Sequence, residues 1–495
     1  MSSFRLISAA GVLVAAMPVC LAQTAHKVID DYLAATGGAK ALARLRSETL
    51  AGNLTDQSSG VTGSWSLISR APNSFYQQII ADAESSSYAY NGMSAWTQNS
   101  GEGAVTLTGT AARQAEAEGV FLNGRLADLK RDRLTVQLAG AAKLRGRDAY
   151  HVQVLSAAGL SREIFIDVKT HLMVREVSPD GETFEYDDYR PVQGIQTPFA
   201  IELHRGGHDY KISITHAEYN SPVADSVFGF PSAAATPLPD VAKLLLDVSR
   251  NQKTIEDLQK QYTWHVRTEN QVDAKGQVKS VTVREYDVFP VGGEDLQHLI
   301  AKDGKPLAGD EKKKEDERFN KRFEELTRKE HEIDNDPKKK AQQEKQEAKD
   351  DAQISDFLRT ERFTNPRRER FRGQDVIAFD FAANPAVKPK SMIENVVQKL
   401  AGVIWIDEQA RDVVRVEAHF GDAVKIGGGL LASVEKGTNF VFEQTRVNDE
   451  VWLPSYDETH LSGRLLLFKG HVNEINRYSN YKKFHTDSKL VDAEN

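Results

Sequence analysis

The residues best suited to chemistry are few, and each has a plainer structural use. His204 and His208 flank Gly206-Gly207, where a hairpin would set two imidazoles on facing strands. Zinc takes three or four ligands, however, and no third stands nearby, so exposed turn histidines are the simpler reading. Asp187-Asp188 offers paired carboxylates. Adjacent strand residues point to opposite faces, so the two cannot act on one substrate atom, and turn capping or an ion pair with Arg190 fits better. Asp167 and Asp407 stand out because they recur. Each closes a strand, where an Asp side chain accepts from backbone N–H groups two residues on. Arg175 and Arg415 follow at the same spacing, and a cross-strand pair with the Asp would contribute ~0.2–1 kcal/mol.

Familiar catalytic motifs are missing. There is no Gly-x-Ser-x-Gly elbow, no Gly-x-x-x-x-Gly-Lys-Ser/Thr loop and no His-Glu-x-x-His. Gly427-Gly428-Gly429 lacks the spacing that aims N–H groups at a phosphate and reads as a flexible turn. No catalytic set, metal site or cofactor site emerges, and the expectation is a protein that is not an enzyme and needs no cofactor.

What does emerge is repetition. Ile164-Phe165-Ile166-Asp167, then Arg175-Glu176, is echoed by Ile404-Trp405-Ile406-Asp407, then Arg415. Each copy follows a Gly-x-Asp turn (Gly146-Arg147-Asp148; Gly373-Gln374-Asp375) and precedes a Phe-Glu strand (Phe184-Glu185; Phe442-Glu443) and a Pro-bearing strand (Pro198; Pro454). Shared order at several points indicates two copies of one β-rich unit. Val28, Ile29, Tyr32 and Leu33 fall at helical spacing before Gly37-Gly38, and a short helix is expected over 39–45. Alternating runs then mark strands, with a hairpin at Asn91-Gly92. A helix is expected over Ala111–Glu118, and a near-continuous meander from Leu134 to Tyr219. After a Pro-rich joint at 221–240, Leu244, Leu245 and Val248 restart the helix-then-sheet plan.

The chain has 495 residues and a formal charge of −8, which gives no support to nucleic-acid binding. Arg5, an apolar run from Leu6 to Val19, and small residues before Gln23 form the pattern of a secretory signal cleaved after Ala22. The run falls short of the roughly 20 residues that cross ~30 Å of hydrocarbon, and no later segment is apolar enough to do so. Cleavage would remove Cys20, the one cysteine, and with it disulfide and thiol chemistry; lipidation of Cys20 is the alternative.

Residues 308–357 are dense in Lys, Glu, Asp and Arg, divided at Asp334-Asn335-Asp336-Pro337. Alternating charge excludes a polybasic anchor. A solvated helical hairpin is the bland reading, and an arm contacting an envelope protein the functional one. The expected layout is a signal at 1–22, a domain over 23–231, a linker at 232–239, a related domain over 240–485 carrying the insertion, and a tail at 486–495.

Trp65, Phe75, Trp96, Phe121, Trp264 and Trp405 are the candidate lining of an apolar hollow, which a curved sheet with helices across one mouth can leave. Val28-Ile29-Asp30-Asp31-Tyr32-Leu33, Tyr90-Asn91-Gly92 with Trp96, Phe165-Ile166-Asp167, and Asp188-Tyr189-Arg190-Pro191-Val192 with Pro198-Phe199 together resemble the LolA-like outer-membrane lipoprotein-sorting family. The likeness spans about residues 26–231, with a more distant copy in the second half. It implies a mainly β (α+β) fold of two tandem half-open antiparallel β-barrels, each with helices across one mouth. It further implies a periplasmic, non-enzymatic binder or carrier of lipid or lipoprotein acyl chains. An envelope interaction module using the charged arm, and a hydrolase with a dispersed site, are the other two classes weighed.

Overall fold

The computed structural model describes residues 24–82, 84–156, 159–231, 237–274, 277–292, 294–339, 341, 359–390, 392–421, 423–426, 432–435, 438–465 and 468–483. The expected signal with Cys20, the core of the 232–239 linker, the second arm of the insertion, Gly427-Gly428-Gly429 and the C-terminal tail lie outside these.

Among the described residues two antiparallel sheets of 13 strands each dominate, and neither closes on itself. The first spans Ser47 to Tyr219 and runs out and back. Its opening strand, Ser47–Asp56, lies in the middle, and the next five step outward to an edge at Val105–Leu107. The chain then restarts at the far edge, Thr135–Leu144, and steps inward until His208–Tyr219 pairs with Ser47–Asp56. The second sheet, Tyr262 to Lys483, repeats the plan: Tyr262–Ala274 pairs with the last strand, Phe468–Lys483, and Glu361–Phe371 forms one edge. The expectation of two half-open, mainly β units with helices agrees with this architecture.

Helices cover one face of each sheet. In the first, α1 (Ala25–Thr36) is capped by Thr24, whose side chain accepts from the Lys27 N–H at 3.3 Å. It buries Val28, Ile29 and Leu33 against Val152, Val154, Ile164 and Ile166. Gly37 ends it at φ 146°, where a Cβ would come within 2.8 Å of the Gly194 carbonyl oxygen, so the helix is drawn close to the sheet. A short α2 (Ala39–Leu42) follows. Next, α3 (Gly109–Gly124) extends past the expected Ala111–Glu118 at both ends. It lies so near the Asn73 turn that a Cβ on Gly119 would meet the Asn73 carbonyl oxygen at 2.0 Å. In the second sheet, α4 (Val241–Gln259) buries Leu244, Leu245 and Val248 against Ile377, Phe379, Phe381, Ile404 and Ile406.

The charged insertion starts as α5 (Gly309–Asn335). Its thin apolar stripe is docked rather than solvated: Phe319 and Leu326 are buried with Leu296, beside Phe289 and Val291. Arg322 pairs with Glu294 at 2.7 Å and His298 with Asp316 at 3.0 Å. This half of the insertion is therefore part of the second sheet's own packing, which corrects the picture of a solvated arm.

The recurring residues build one device twice. Asp167 Oδ1 accepts from the N–H groups of Lys169 and Thr170, both at 2.8 Å. Asp407 Oδ1 accepts from Gln409 and Ala410 at 2.8 and 2.9 Å. The structural reading of the two aspartates holds. Their arginines do not pair with them, contrary to expectation. Arg175 lies opposite Glu185 and binds it, and Arg415 lies opposite Glu443 and binds it. Within each hairpin the Arg falls opposite the residue two before the Asp, Arg175 opposite Phe165 and Arg415 opposite Trp405, while the Glu of the recurring Phe-Glu strand lies directly across on its other side. Each glutamate also takes a second arginine from the preceding turn, Arg145 at 2.5 Å and Arg372 at 3.0 Å.

The sheets meet at a buried polar cluster. Asp380, on the second, is 0% exposed. It accepts from Ser94 Oγ (2.9 Å) and Asn91 Nδ2 (3.2 Å) of the first sheet, and from Asn365 Nδ2 (2.7 Å) and Arg367 Nη1 (2.9 Å) of its own. Arg367 Nε also donates to Thr106 Oγ1 of the first sheet at 2.9 Å, and its guanidinium lies 3.9 Å from the Phe230 ring centroid.

Candidate functional site

A cavity of about 150 Å³ lies under α1 and α3 on the concave face of the first sheet. Period-two alternation builds its floor. Trp65 and Leu67 from one strand, and Gln77 from the next, share the buried face. Opposite strands add Met173, Phe184, Ile195 and Ile201, the helices close it with Leu42, Phe121 and Leu122, and Leu126 joins them from the turn after α3. The void falls between two buried clusters, one centred on α1 and Ile164–Ile166, the other on Leu50, Trp65, Leu203 and Ile212. Helices packed across a curved sheet leave such a gap where side chains from the two layers do not interdigitate.

The wall is not purely apolar. Glu118 and Glu176 both pair with Arg162, which is 3% exposed and lies 4.0 Å from the Phe121 ring centroid. Tyr186 Oη donates to Glu176 at 3.0 Å. At the other end Arg125 pairs with Glu48 at 2.8 Å. Tyr189 Oη donates to the Met173 carbonyl, and Tyr219 Oη shares a hydrogen bond with Thr197 Oγ1, both at 2.8 Å. Burial pushes the phenols of Tyr32, Tyr186, Tyr189 and Tyr219 above their ordinary pKa. They stay protonated and serve as donors. The charges are thus bound to one another, and the tyrosines are neutral: a wall suited to holding a ligand.

Of the six expected lining residues, Trp65 and Phe121 stand in this wall. Phe75 faces the same side but is roofed by α3, packed with Tyr90, Ala95 and Ala115 and edge-on to Tyr88. Trp96 leaves the cavity altogether, donating from Nε1 to the Phe228 carbonyl at 3.0 Å beside Phe230. Trp264 packs with Tyr262, Val288 and Leu453. Trp405 lies on the face opposite α4, with Trp452 and Val376, and donates to Glu369 at 3.0 Å. The ionisable pairs and Gln77 escaped the sequence reading. Parity would have flagged them, since Gln77 falls in step with Phe75 and Ile79, and Arg162 with Ile164 and Ile166.

The two histidines do not face each other. His204 lies opposite Asp209 and bonds it at 2.6 Å, and His208 bonds Asp56 at 3.0 Å. Asp188 pairs with Arg190 at 2.6 Å, and Asp187 with Arg147 at 2.9 Å. Among the described residues no group of three metal-ligating side chains is present, and no helix is long and apolar enough to cross a membrane.

No family model matches the chain, and no curated protein does. Similar solved structures include a DUF1329 family protein from Desulfovibrio piger, 15% identical, covering 41% of this chain and 96% of that one at a TM-score of 0.30. A LolA superfamily protein from Nitrosomonas europaea is 13% identical, covering 41% and 97% at 0.29. The MucA/MucB complex of Pseudomonas aeruginosa is 9% identical, covering 92% and 99% at 0.18. At such scores the likeness says nothing of what this chain binds.

Proposed function

We propose that this protein is a periplasmic, non-enzymatic binder or carrier of lipid or lipoprotein acyl chains, and that the first sheet with α1–α3 is its binding domain. The observation that carries the reading is the roofed cavity between α1, α3 and the strands bearing Trp65, Leu67, Met173 and Ile201. Burying a chain there is worth ~0.8 kcal/mol per CH₂. About 150 Å³ is less than the roughly 300–1,000 Å³ of pockets that enclose drug-sized ligands. The void as it stands holds only part of a long chain. Entry of the rest requires α1 or α3 to move away from the sheet.

The paired state of Arg125, Arg162, Glu48, Glu118 and Glu176 supports binding over catalysis, because a general base or nucleophile must be free to exchange a proton. The second sheet forms a related domain in this reading, and residues 308–357 remain its candidate contact with an envelope protein. The test is mass spectrometry of lipids carried by protein isolated from the periplasm, with uptake of a fluorescent fatty acid. Protein that carries none and takes up none overturns the reading.

A further inference from the structure

Two side chains of the cavity wall carry buried donors that bond nothing. Trp65 is 3% exposed and Gln77 8%, and neither the indole Nε1 nor the amide Nε2 has a hydrogen-bond partner. Both residues line the void. They sit on adjacent strands, Trp65 opposite Ile79 and Gln77 opposite Leu67, which makes them diagonal neighbours on one face, roughly 7–8 Å apart. Side chains of this length converge easily over such a gap. A stranded buried donor is costly, and two in one wall point to an acceptor that the ligand supplies.

The charge of the wall decides what kind of acceptor. Both guanidiniums, Arg125 and Arg162, are already held by Glu48, Glu118 and Glu176, so three carboxylates face two cations. A carboxylate or phosphate buried here would meet excess negative charge without a free partner. A neutral carbonyl oxygen has no such penalty, and its two lone pairs match two N–H donors. Building on the acyl-binding reading, we propose that Trp65 and Gln77 hydrogen-bond the ester carbonyl of a glycerol-linked acyl chain. The cavity then selects esterified chains over free fatty acids and over ether-linked chains.

The experiment is displacement of N-phenyl-1-naphthylamine from the full-length protein by two lipids that differ only at the carbonyl, 1-palmitoylglycerol and 1-O-hexadecylglycerol, with palmitate as the anionic comparison. The ester should displace the probe at about tenfold lower concentration than the ether, the order expected when two buried donors gain or lack an acceptor. Palmitate should be weaker than the ester. Trp65→Phe and Gln77→Leu should each lower the ester-to-ether ratio to about threefold and together bring it close to one, with the folding of every variant checked by circular dichroism and thermal melting. A dipalmitoyl-cysteinyl peptide and a palmitoyl lysophosphatidylglycerol, both ester-linked, then identify the source by which displaces at lower concentration. Equal displacement by ester and ether in the wild type, or a preference surviving both substitutions, overturns the proposal while leaving acyl binding intact. Failure of any lipid to displace the probe removes both.

Discussion

Replacing Asp380 with Ala tests whether the polar cluster holds the two sheets together. Its carboxylate accepts four hydrogen bonds, two from each sheet, from a fully buried position. At ~1.5 kcal/mol for each bond to a charged group the sum is about 6 kcal/mol, which is too large. Asn91 Nδ2 also reaches Ser94 Oγ at 3.3 Å, and Arg367 Nε keeps Glu369 at 2.8 Å, so some donors stay satisfied. The lower end of the range for a broken buried pair applies, about 3 kcal/mol. At a urea slope of ~3 kcal/mol per M, the midpoint falls by about 1 M. Asp380→Asn should lose less, since its amide oxygen still accepts. Unfolding followed by tryptophan fluorescence gives the midpoint, and limited proteolysis in the 221–240 connector reports whether the sheets separate. A shift below about 1 kcal/mol with an unchanged cleavage rate would refute the reasoning.

Three other outcomes follow from the packing. Leu67→Trp should fill the void and abolish probe uptake at a stability cost of about 1–3 kcal/mol, checked by titration and thermal melting; undiminished uptake would place the ligand elsewhere. Arg415→Ala should cost more than Arg175→Ala, about 2–3 against about 1 kcal/mol, because Arg415 is 12% exposed and Arg175 30%; equal losses in denaturant would count against burial as the cause. Burial pushes the Glu361 carboxyl up to about 7 from 4.5, and neither of its oxygens has a hydrogen-bond partner. Below pH 4.5 both folded and unfolded chains are protonated there and nothing is lost. Between 4.5 and 7 the unfolded chain ionises first, so this group lowers stability as pH rises, levelling off above 7 at about 3 kcal/mol. Glu361→Gln should therefore gain on the wild type between pH 5 and pH 8 in melting temperature, and a constant difference would dismiss the titration.

The repeated strand-and-turn pattern was legible because it is local. Asp167 and Asp407 cap turns two and three residues away, and the α1 and α4 stripes follow from spacing alone. Position in the wall was less legible. Alternation shows that Trp405 lies opposite in facing to Ile404 and Ile406, but not which of those faces a helix covers, and α4 covers the isoleucines. Trp96 was likewise drawn outward by a carbonyl far along the chain, at Phe228. Arg162 meets Glu118 only once α3 crosses the sheet. The bulges that set Arg175 opposite Phe165 and Arg415 opposite Trp405 are register shifts with no signature in the residues themselves.

The out-and-back order of the first sheet bears on how the chain is made. Ser47–Asp56 finds its second neighbour only when His208–Tyr219 arrives, and the hydrogen bond from the Arg46 N–H to Asn220 spans 174 residues. A polypeptide emerging from its N-terminus thus carries a bare strand edge for most of that half's synthesis, with the costliest loop closure left to the end. Contacts of that range slow folding and expose a template for misassembly. Central placement of the last seam makes assembly of this half all-or-none: truncation before Tyr219 would not trim a border but split the floor beneath the cavity.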